Sequence, residues 1–296
     1  MTTSPGPSAR LPTAPGVVGL VVHGGRPEAR EAALAAVDLL REEGVGIVGC
    51  SGDGWDGAID VRDPSSFGDR ADVVVVFGGD GTFLRAAYMA RDQGLPLAGV
   101  DLGRLGFLSE VAAPDVRAVL RRLVDGAFTV EERMTLLVEV DDADGRTVAG
   151  SWALNEASIE RTDRQRLVVL EVRVGDAPFA HVPADGIICA SPTGSTAYAF
   201  SAGGPILSPL VDAILLVPVA PHSLFDRTIV VDPAEMLSVR PVGGHNTCLV
   251  SLDGRETLDV PAGGRVRVSR GEVPVRLARF GTFDFYERVR DKFGLH

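Results

Sequence analysis

The sequence has few cysteines, and no pattern joins them. Cys50, Cys189 and Cys248 lie far apart, and no Cys-x-x-Cys or Cys/His cluster is present. Structural zinc sites and disulfide frameworks require such spacings, so we expect neither. Isolated thiols are typical of a reducing compartment, and the sequence therefore predicts a cytoplasmic protein.

Basic residues are also outnumbered. The 296 residues include 29 Lys and Arg against 40 Asp and Glu, which gives a net charge of −11. A nucleic-acid-binding protein neutralises phosphates with a basic surface, so this balance argues against a nucleic-acid partner. Small anionic ligands stay possible, because a local cluster of donors or a bound Mg²⁺ can outweigh the mean charge.

No uninterrupted apolar run is long enough for a membrane span. The N-terminus lacks the apolar segment of a secretory signal, and residues 1–15, rich in Pro, Ser and Thr, predict a disordered tail. Residues 186–211 carry no charge, but Pro192, Gly203 and Gly204 interrupt them. A spanning helix needs about 20 mostly apolar residues, so we expect no membrane partner.

Residues 16–127 alternate between short apolar runs and segments with helical spacing. The predicted strands are Val17–Val22, Val45–Val48, Ala71–Phe77 and Leu97–Val100. The predicted helices are Pro27–Glu43, Phe83–Gln93 and Pro114–Val124. This alternation predicts an α/β domain with a doubly wound parallel sheet.

Residues 128–275 have a different pattern, with short β-rich runs separated by turn signals. The clearest runs are Leu136–Val140, Leu167–Val174, Ala213–Val217, Ile229–Val231, Cys248–Leu252 and Val266–Val268. They predict an all-β C-terminal domain. Residues 276–296 contain one more predicted helix, Phe283–Phe293, which we expect to join the first domain.

A glycine-rich loop, Gly78-Gly79-Asp80-Gly81-Thr82, stands between a predicted buried strand and a predicted helix. Ligands of doubly wound sheets bind at such strand ends, and the glycines let a phosphate approach the backbone. Thr82 is expected to cap the helix, whereas Asp80 could accept a proton from a hydroxyl nucleophile or hold Mg²⁺. The loop has no lysine and is not a P-loop. The alternative is a tight turn that uses glycine for geometry alone.

A second loop, residues 191–205, is dense in hydroxyls and glycines. Such a loop can hydrogen-bond a ribose or a phosphate, and Asp185 just before it can accept hydrogen bonds from sugar hydroxyls or an adenine amino group. The absence of a G-x-S-x-G motif disfavours a hydrolase serine. The alternative is a flexible polar loop without a ligand.

In combination, these motifs resemble the NAD kinase family. The matching segments are Gly-Gly-Asp-Gly-Thr (78–82), Leu-Gly-Arg-Leu-Gly-Phe-Leu (102–108), Glu-Arg-Met-Thr-Leu (132–136), Leu-Asn-Glu (154–156), Asp-Gly (185–186), Pro-Thr-Gly-Ser-Thr-Ala-Tyr (192–198) and Ser-Ala-Gly-Gly-Pro (201–205). The resemblance implies phosphorylation of the 2′-hydroxyl of the adenosine ribose of NAD, with ATP or polyphosphate as donor. It also implies Mg²⁺ or a similar ion, and a homodimer or homotetramer.

The resemblance also implies a role for individual residues. Asp80 would activate the 2′-hydroxyl. The residues expected to bind NAD are Gly81, Phe107, Asn155, Glu156, Asp185, Thr196, Ala197, Tyr198 and Ser201. Those expected at the phosphate donor are Gly78, Gly79, Thr82 and Arg85. Asp101, His222 and Asp253 are expected near the site, and Asp101 and Glu156 are the candidate metal ligands.

Two other functions stay open on the sequence. A lipid or sphingoid kinase shares the first loop, although the polar second loop argues against a lipid substrate. A non-catalytic NAD(P)-binding regulator is the other, and the presence of Asp80, Asn155 and Glu156 argues against it. The chain also departs from the family pattern at Asp101, where Asn is usual.

Overall fold

The computed structural model describes residues 13–55, 57, 59–102, 106–112, 115–163, 167–223, 226–243, 248–281 and 284–295. The described part therefore excludes most of the predicted tail, Pro114, Phe283 and residues 103–105 of the 102–108 motif. The chain divides into two compact units. Unit 1 is the chain up to Glu132 together with the segment from Val275, and unit 2 is Arg133–Pro274. The sequence predicts these divisions after residues 127 and 275.

The secondary structure of the described residues is as follows. The strands are β1 (Val17–Val22), β2 (Gly46–Cys50), β3 (Asp60–Arg62), β4 (Val73–Phe77), β5 (Pro96–Asp101), β6 (Val111–Ala112), β7 (Thr129–Arg133), β8 (Leu136–Asp141), β9 (Thr147–Ala153), β10 (Glu156–Arg161), β11 (Val168–Val174), β12 (Ala177–Ala184), β13 (Gly186–Ala190), β14 (Ile214–Val219), β15 (Ile229–Val231), β16 (Leu237–Val242), β17 (Cys248–Leu252), β18 (Glu256–Val260), β19 (Arg265–Arg270) and β20 (Val275–Arg279). The helices are α1 (Pro27–Glu42), α2 (Pro64–Phe67), α3 (Asp80–Ala90), α4 (Val116–Val124), α5 (Tyr198–Ser201) and α6 (Phe285–Phe293), with 3₁₀ turns at Gly68–Arg70 and Thr193–Thr196.

Unit 1 is built on one sheet with the strand order β3-β2-β1-β4-β5-β20-β7, to which β6 adds beside β5. The pairs from β3 to β20 and the β5–β6 pair are parallel. Every residue of β4 is buried, as expected for a central strand of a parallel sheet that is covered on both faces. The strand order reverses between β1 and β4, because β2 and β3 extend to one side and β4 and β5 to the other.

Helices cover both faces of this sheet. Alternate residues of β1 and β4, such as Leu20 and Val75, share a hydrophobic core with α1 and α4. On the opposite face, Phe67 of α2 lies against Gly19 and Phe83 of α3 against Gly99. The predicted doubly wound parallel sheet is therefore confirmed.

Unit 2 contains two antiparallel sheets of six strands each. Their orders are β15-β14-β13-β10-β17-β18 and β12-β11-β16-β19-β8-β9. Inward side chains of both sheets, including Leu136, Ile159 and Val250, form a single hydrophobic core. The predicted β-rich domain is confirmed, and the pairing is that of two sheets packed face to face.

The outer face of β13 and β14 carries the hydroxyl-rich segment. Ala199 of α5 packs there against Ile188, Ala190, Leu215 and Val217. The charge-free stretch 186–211 is thus a strand, a 3₁₀ turn and a four-residue helix rather than one long element. None of the helices in the described ranges combines the length and the apolar character that crossing a membrane requires.

Candidate active site

A cleft of about 530 Å³ opens in unit 1 where β1 and β4 end. Its walls include Val22 to Gly24, which follow β1, and Gly79 to Thr82, which follow β4. β1 and β4 are the two strands at which the strand order reverses. Such a switch point is where open α/β sheets bind their ligands, so the topology independently marks this cleft as a binding site.

The helix α3 begins within the glycine-rich segment, three residues earlier than the sequence predicts. The helix begins at Asp80 with Gly79 as its N-cap, so the prediction that Thr82 caps a helix beginning at Phe83 is wrong. Thr82 is buried within the first turn, where its side chain lies so close to Gly78 that any larger residue at 78 would collide with it. Gly79 and Gly81 have open space where a side chain would stand, which leaves their backbone accessible to a ligand.

The Asp80 carboxylate is held by backbone groups of the 102–108 motif. Oδ2 accepts the N–H of Phe107 at 3.1 Å, and Oδ1 accepts the N–H of Leu108 at 3.2 Å. A Cβ atom on Gly106 would lie only 2.3 Å from Oδ1, so glycine is required where the carboxylate passes. Each oxygen keeps further acceptor capacity, which a ligand hydroxyl can use. These contacts explain why the 78–82 and 102–108 motifs occur together.

Cationic side chains line the same cleft. Arg26, at the start of α1, Arg85 and Lys292 all contribute to its walls, and the N-termini of α1 and α3 lie beside it. Helix N-termini attract anions, so this acidic chain concentrates positive potential at one place.

The Arg85 guanidinium is fixed by a partner that the sequence analysis did not identify. Nη1 donates to Asp53 Oδ1 at 2.7 Å, and Nη2 donates to the Val22 carbonyl at 2.8 Å. Asp53 is buried and also accepts the N–H of Val22 at 2.8 Å. A Gly-Asp-Gly sequence at 52–54 was the available signal for a loop, but nothing in it indicated the ion pair.

Two further predicted residues lie in unit 1. Phe107 is buried, and its ring centre lies 6.1 Å from that of Phe285 and 6.3 Å from that of Phe293. Asp101 is the last residue of β5, and the N–H of Gly78 approaches the carbonyl of the preceding Val100 at 3.4 Å. The ends of β4 and β5 are therefore adjacent, as expected for neighbouring parallel strands.

In unit 2, Asp253 organises the turn that carries Asn155 and Glu156. Its carboxylate accepts the backbone N–H groups of Leu154, Asn155 and Glu156 at 2.8, 2.8 and 3.0 Å. Asp253 itself has a φ of 51° in the left-handed region, where Asp is tolerated better than most residues. Asp253 therefore acts on its neighbours through the backbone.

Glu156 is buried in unit 2, and the pKa of its carboxyl is raised. Burial, with a smaller contribution from Asp253, raises the pKa of its carboxyl to about 8, and the backbone N–H of Tyr198 opposes this shift. Within the described part of the chain, Glu156 Oε2 has no hydrogen-bond partner. A buried carboxyl oxygen without a partner is costly unless a ligand completes it, so Glu156 marks a binding position.

Tyr198 lies among carboxylates. Burial, the negative charge of Glu160 and a hydrogen bond with Glu160 raise the pKa of its hydroxyl, and the charges of Asp185 and Glu156 add to the shift. Asp185 also pairs with Arg161, whose Nη2 lies 2.8 Å from Oδ1. Glu160 was not predicted as a site residue, although it lies four residues after Glu156 on β10, and side chains at even spacing share one face of a strand.

The hydroxyls of the second loop mostly serve the loop itself. Ser191 donates to the Leu154 carbonyl, and the Asn155 carbonyl accepts the N–H of Ser191 at 2.8 Å. A Cβ on Gly194 would lie 2.0 Å from the Asn155 carbonyl oxygen, so only glycine permits this approach. Thr196 Oγ1 donates to the Thr193 carbonyl at 3.3 Å. The structure thus joins the loop to the 154–156 turn.

The remaining predicted residues of unit 2 lie at the two ends of α5 and after β14. Ala197 is half-buried and Ser201 exposed at either end of the turn of α5, and Ser201 donates its N–H to Ala197. His222 is exposed, and its N–H donates to the Pro183 carbonyl at 2.7 Å. Among the residues with described positions, no group of three or more His, Cys, Asp or Glu side chains forms a ready metal site.

Family models match most of the chain. One described as ATP-NAD kinase N-terminal domain matches residues 62–128, and one described as ATP-NAD kinase C-terminal domain matches residues 154–280. The chain is 41% identical to NAD kinase 2 of Streptomyces avermitilis over 283 residues, which is 93% of each chain. It is 43% identical to NAD kinase of Corynebacterium glutamicum over 235 residues, covering 79% of this chain and 81% of the relative.

Solved structures share the fold. A crystal structure of yeast NADH kinase complexed with NADH superposes with a TM-score of 0.87 at 24% identity, covering 96% of this chain and 88% of the other. A crystal structure of an NAD kinase from Archaeoglobus fulgidus in complex with ATP superposes with a TM-score of 0.70 at 23% identity, covering 94% and 96%.

Proposed function

The chain belongs to the NAD kinase family and is an enzyme of that kind; we propose which of its residues bind NAD and ATP and how they promote phosphoryl transfer. The observation that carries the proposal is the Asp80 carboxylate, held by two backbone N–H groups in a cleft lined by Arg26, Arg85 and Lys292. The motif resemblance to NAD kinases is confirmed by the curated relatives and family models. Neither a lipid kinase nor a non-catalytic regulator finds support among them.

The unit 1 cleft binds the phosphates of ATP. Gly79 and Thr82 line this cleft, and with the preceding Gly78 they form the proposed backbone cradle, with Arg85 as a neighbouring cation. The open space at Gly79 and Gly81, the two helix N-termini and the surrounding cations support this role. Phosphoryl transfer depends mainly on positioning and charge neutralisation, and this cleft provides both.

Asp80 acts as the general base. It accepts the proton of the 2′-hydroxyl of the adenosine ribose as that oxygen attacks the γ-phosphorus of ATP. A new P–O bond forms, the bond between the β–γ bridging oxygen and the γ-phosphorus breaks, and ADP leaves. Because the N–H groups of Phe107 and Leu108 fix the carboxylate, it needs no rearrangement to receive the proton.

Unit 2 contributes further NAD-binding residues. The proposed set in unit 2 is Asn155, Glu156, Asp185, Thr196, Ala197, Tyr198 and Ser201. In unit 1, the proposed NAD-binding residues are Gly81 and Phe107. The partnerless oxygen of Glu156 and the carboxylates around Tyr198 support the set in unit 2, since sugar hydroxyls and amide N–H groups are donors that carboxylates accept. His222 and Asp253 belong to the surroundings of this set.

We propose that a divalent cation such as Mg²⁺ assists the reaction. Carboxylate oxygens suit Mg²⁺, and Glu156, with its buried oxygen free of hydrogen bonds from other described residues, fits that chemistry; Asp101 is the candidate in unit 1. When bound, the ion neutralises phosphate charge. We also propose a cytoplasmic homodimer or homotetramer; the buried, unpaired thiols of all three cysteines agree with a reducing compartment.

Formation of NADP from NAD, ATP and Mg²⁺ tests the proposed function, with polyphosphate as a second donor. Asp80→Asn should retain the fold and lower kcat by about 10²–10⁴-fold, the usual value of general-base assistance. Asp92→Asn, at an exposed position on the segment after α3, is the matched control and should retain full activity. Wild-type protein without NADP formation would refute the function, and Asp80→Asn within threefold of wild type would refute the base.

A further inference from the structure

Lys292 stands out in the sequence and in the structure. It is the single lysine among 29 basic residues, since every other one is arginine. It belongs to the last turn of α6, more than 200 positions from the glycine-rich loop, yet it lines the same cleft as Gly79 to Thr82. No sequence motif assigned it a role.

Lys292 contacts the ring of Phe107. The ammonium Nζ lies 5.1 Å from the centre of the Phe107 ring, within the range of a cation–π contact. The backbone N–H of the same Phe107 donates to Asp80. One residue therefore supports the ammonium with its ring and the proposed base with its backbone.

Other residues of α6 cap the helix and contact Phe107. The Asp284 carboxylate caps the helix by accepting the N–H groups of Tyr286 and Glu287 at 2.9 and 3.1 Å. The rings of Phe285 and Phe293 flank Phe107, although no residue of the helix is fully buried. The contacts of Phe285 and Phe293 with Phe107 attach α6 beside the cleft that Lys292 lines.

We propose that Lys292 binds the phosphate chain of ATP during the reaction, a role that rests on the proposed function of the cleft. A lysine suits it because the ammonium is a compact charge on a flexible stem and can follow a phosphate as it moves. The neighbouring Arg85 is fixed by Asp53 and the Val22 carbonyl and shares its charge with Asp53. Lys292 thus supplies a compact ammonium in the cleft that the guanidinium of Arg85 also lines.

Substitution separates the charge of Lys292 from its packing. Lys292→Met keeps an unbranched apolar stem over Phe107, whereas Lys292→Arg keeps the charge. We expect Lys292→Met to raise the Kd of ATP about tenfold by calorimetry without NAD, the usual scale of one charge-assisted contact at an exposed position. Lys292→Arg should recover most of this loss, and the KM for NAD should change less than twofold. Arg290→Met, an exposed cation on the same helix outside the cleft, is the matched control.

Amine acetylation gives a readout independent of activity. Lys292 carries the only side-chain amine of the protein, so its modification by an N-hydroxysuccinimide ester can be followed by mass spectrometry of the C-terminal peptide. ATP should slow acetylation of Lys292, and NAD at saturation should not. Protection by NAD alone, or unchanged ATP affinity in Lys292→Met, would overturn the proposal. Failure of the proposed function would show differently, as absence of NADP with intact ATP protection.

Discussion

At the scale of single residues, burial and hydrogen bonding give the carboxyl groups of Asp80, Glu156 and Asp53 different roles. Asp80 accepts two backbone N–H groups and faces an open cleft. Glu156 is buried with one oxygen lacking a partner in the described structure, and its pKa rises to about 8. Asp53 is buried but paired with Arg85. A residue with its polar groups satisfied stabilises the fold, whereas an incompletely satisfied one stores a cost that a ligand can relieve.

Glu156→Gln tests this cost through stability. The folded pKa of about 8 lies above the ordinary 4.5, so between these values the folded state binds more protons than the unfolded state. Wild-type stability therefore falls as pH rises through this window. We expect Glu156→Gln to be more stable than wild type by at least about 1 kcal/mol at pH 9 and nearly equal at pH 4.5, in urea unfolding.

The matched control for this measurement is Glu272→Gln, whose carboxyl is exposed. It should show no such pH-dependent gain. NAD affinity should fall in Glu156→Gln while stability rises, since a binding residue is expected to lower stability in the absence of its ligand. An equal stability difference at pH 4.5 and pH 9 would contradict the raised pKa.

At the scale of elements, the ends of helices and strands, with the turns beside them, carry the candidate site. Residues 154–155 connect β9 to β10, which begins at Glu156, and the loop after β13 packs against Asn155 through Gly194. Arg133, buried at the end of β7, adds a 3.4 Å contact from Nη1 to Thr193 Oγ1. The sheets supply rigid positions, and the turns between them present the polar groups.

Substitution of Asp253 should disturb the 154–156 turn. Asp253→Ala removes the acceptor of three N–H groups and places alanine at a φ of 51°, so we expect a stability loss of about 1–3 kcal/mol. Asp253→Asn tolerates that φ and keeps one carbonyl acceptor, so its loss should be smaller. In both variants the KM for NAD should rise more than the KM for ATP.

Asp259→Asn, at an exposed position on β18, controls for the loss of a carboxylate in the same hairpin. Thermal unfolding and steady-state kinetics give the two readouts. If Asp253→Ala raised the KM for ATP alone, Asp253 would serve the phosphate donor rather than the 154–156 turn.

At the scale of the whole molecule, charge is distributed unevenly. The chain has a net charge of −11, yet cations collect at the unit 1 cleft. In unit 2, paired charges join strands: buried Asp141 of β8 accepts hydrogen bonds from Arg265 and Arg267 of β19 and from Thr147 of β9. These contacts lower the pKa of Asp141 to about 2, with the Arg267 hydrogen bond as the largest cause.

Acid unfolding should reveal this network. The folded pKa of Asp141 lies below its ordinary 3.8, so the unfolded state binds more protons between about pH 4 and pH 2. The stability that Asp141 contributes is complete above this window and is lost as pH falls through it. We expect Asp141→Asn to be destabilised by about 2 kcal/mol at pH 6 and by much less at pH 2. Asp144→Asn, in the exposed hairpin turn, should match wild type throughout.

By itself, the sequence determined the class of fold and the family. The alternation of apolar runs and helical spacing predicted the parallel sheet, and the strands Val17–Val22, Ile229–Val231 and Cys248–Leu252 have the predicted bounds. Local patterns suffice for this because strand and helix periodicity are properties of neighbouring residues. The start of α3 was misplaced because glycines rarely indicate a helix, although helix geometry here begins at Asp80.

Only the tertiary structure decided which distant residues meet. Asp53 and Arg85 are 32 positions apart, and the Asp253 carboxylate meets the Leu154 N–H across 99 positions. Lys292 reaches the cleft because β20 returns the chain to the first sheet, and Glu160 reaches Tyr198 because β10 pairs with β13. Such contacts depend on strand order and register, which local spacing does not encode, and they determine the charge and hydrogen bonding on which the proposed chemistry depends.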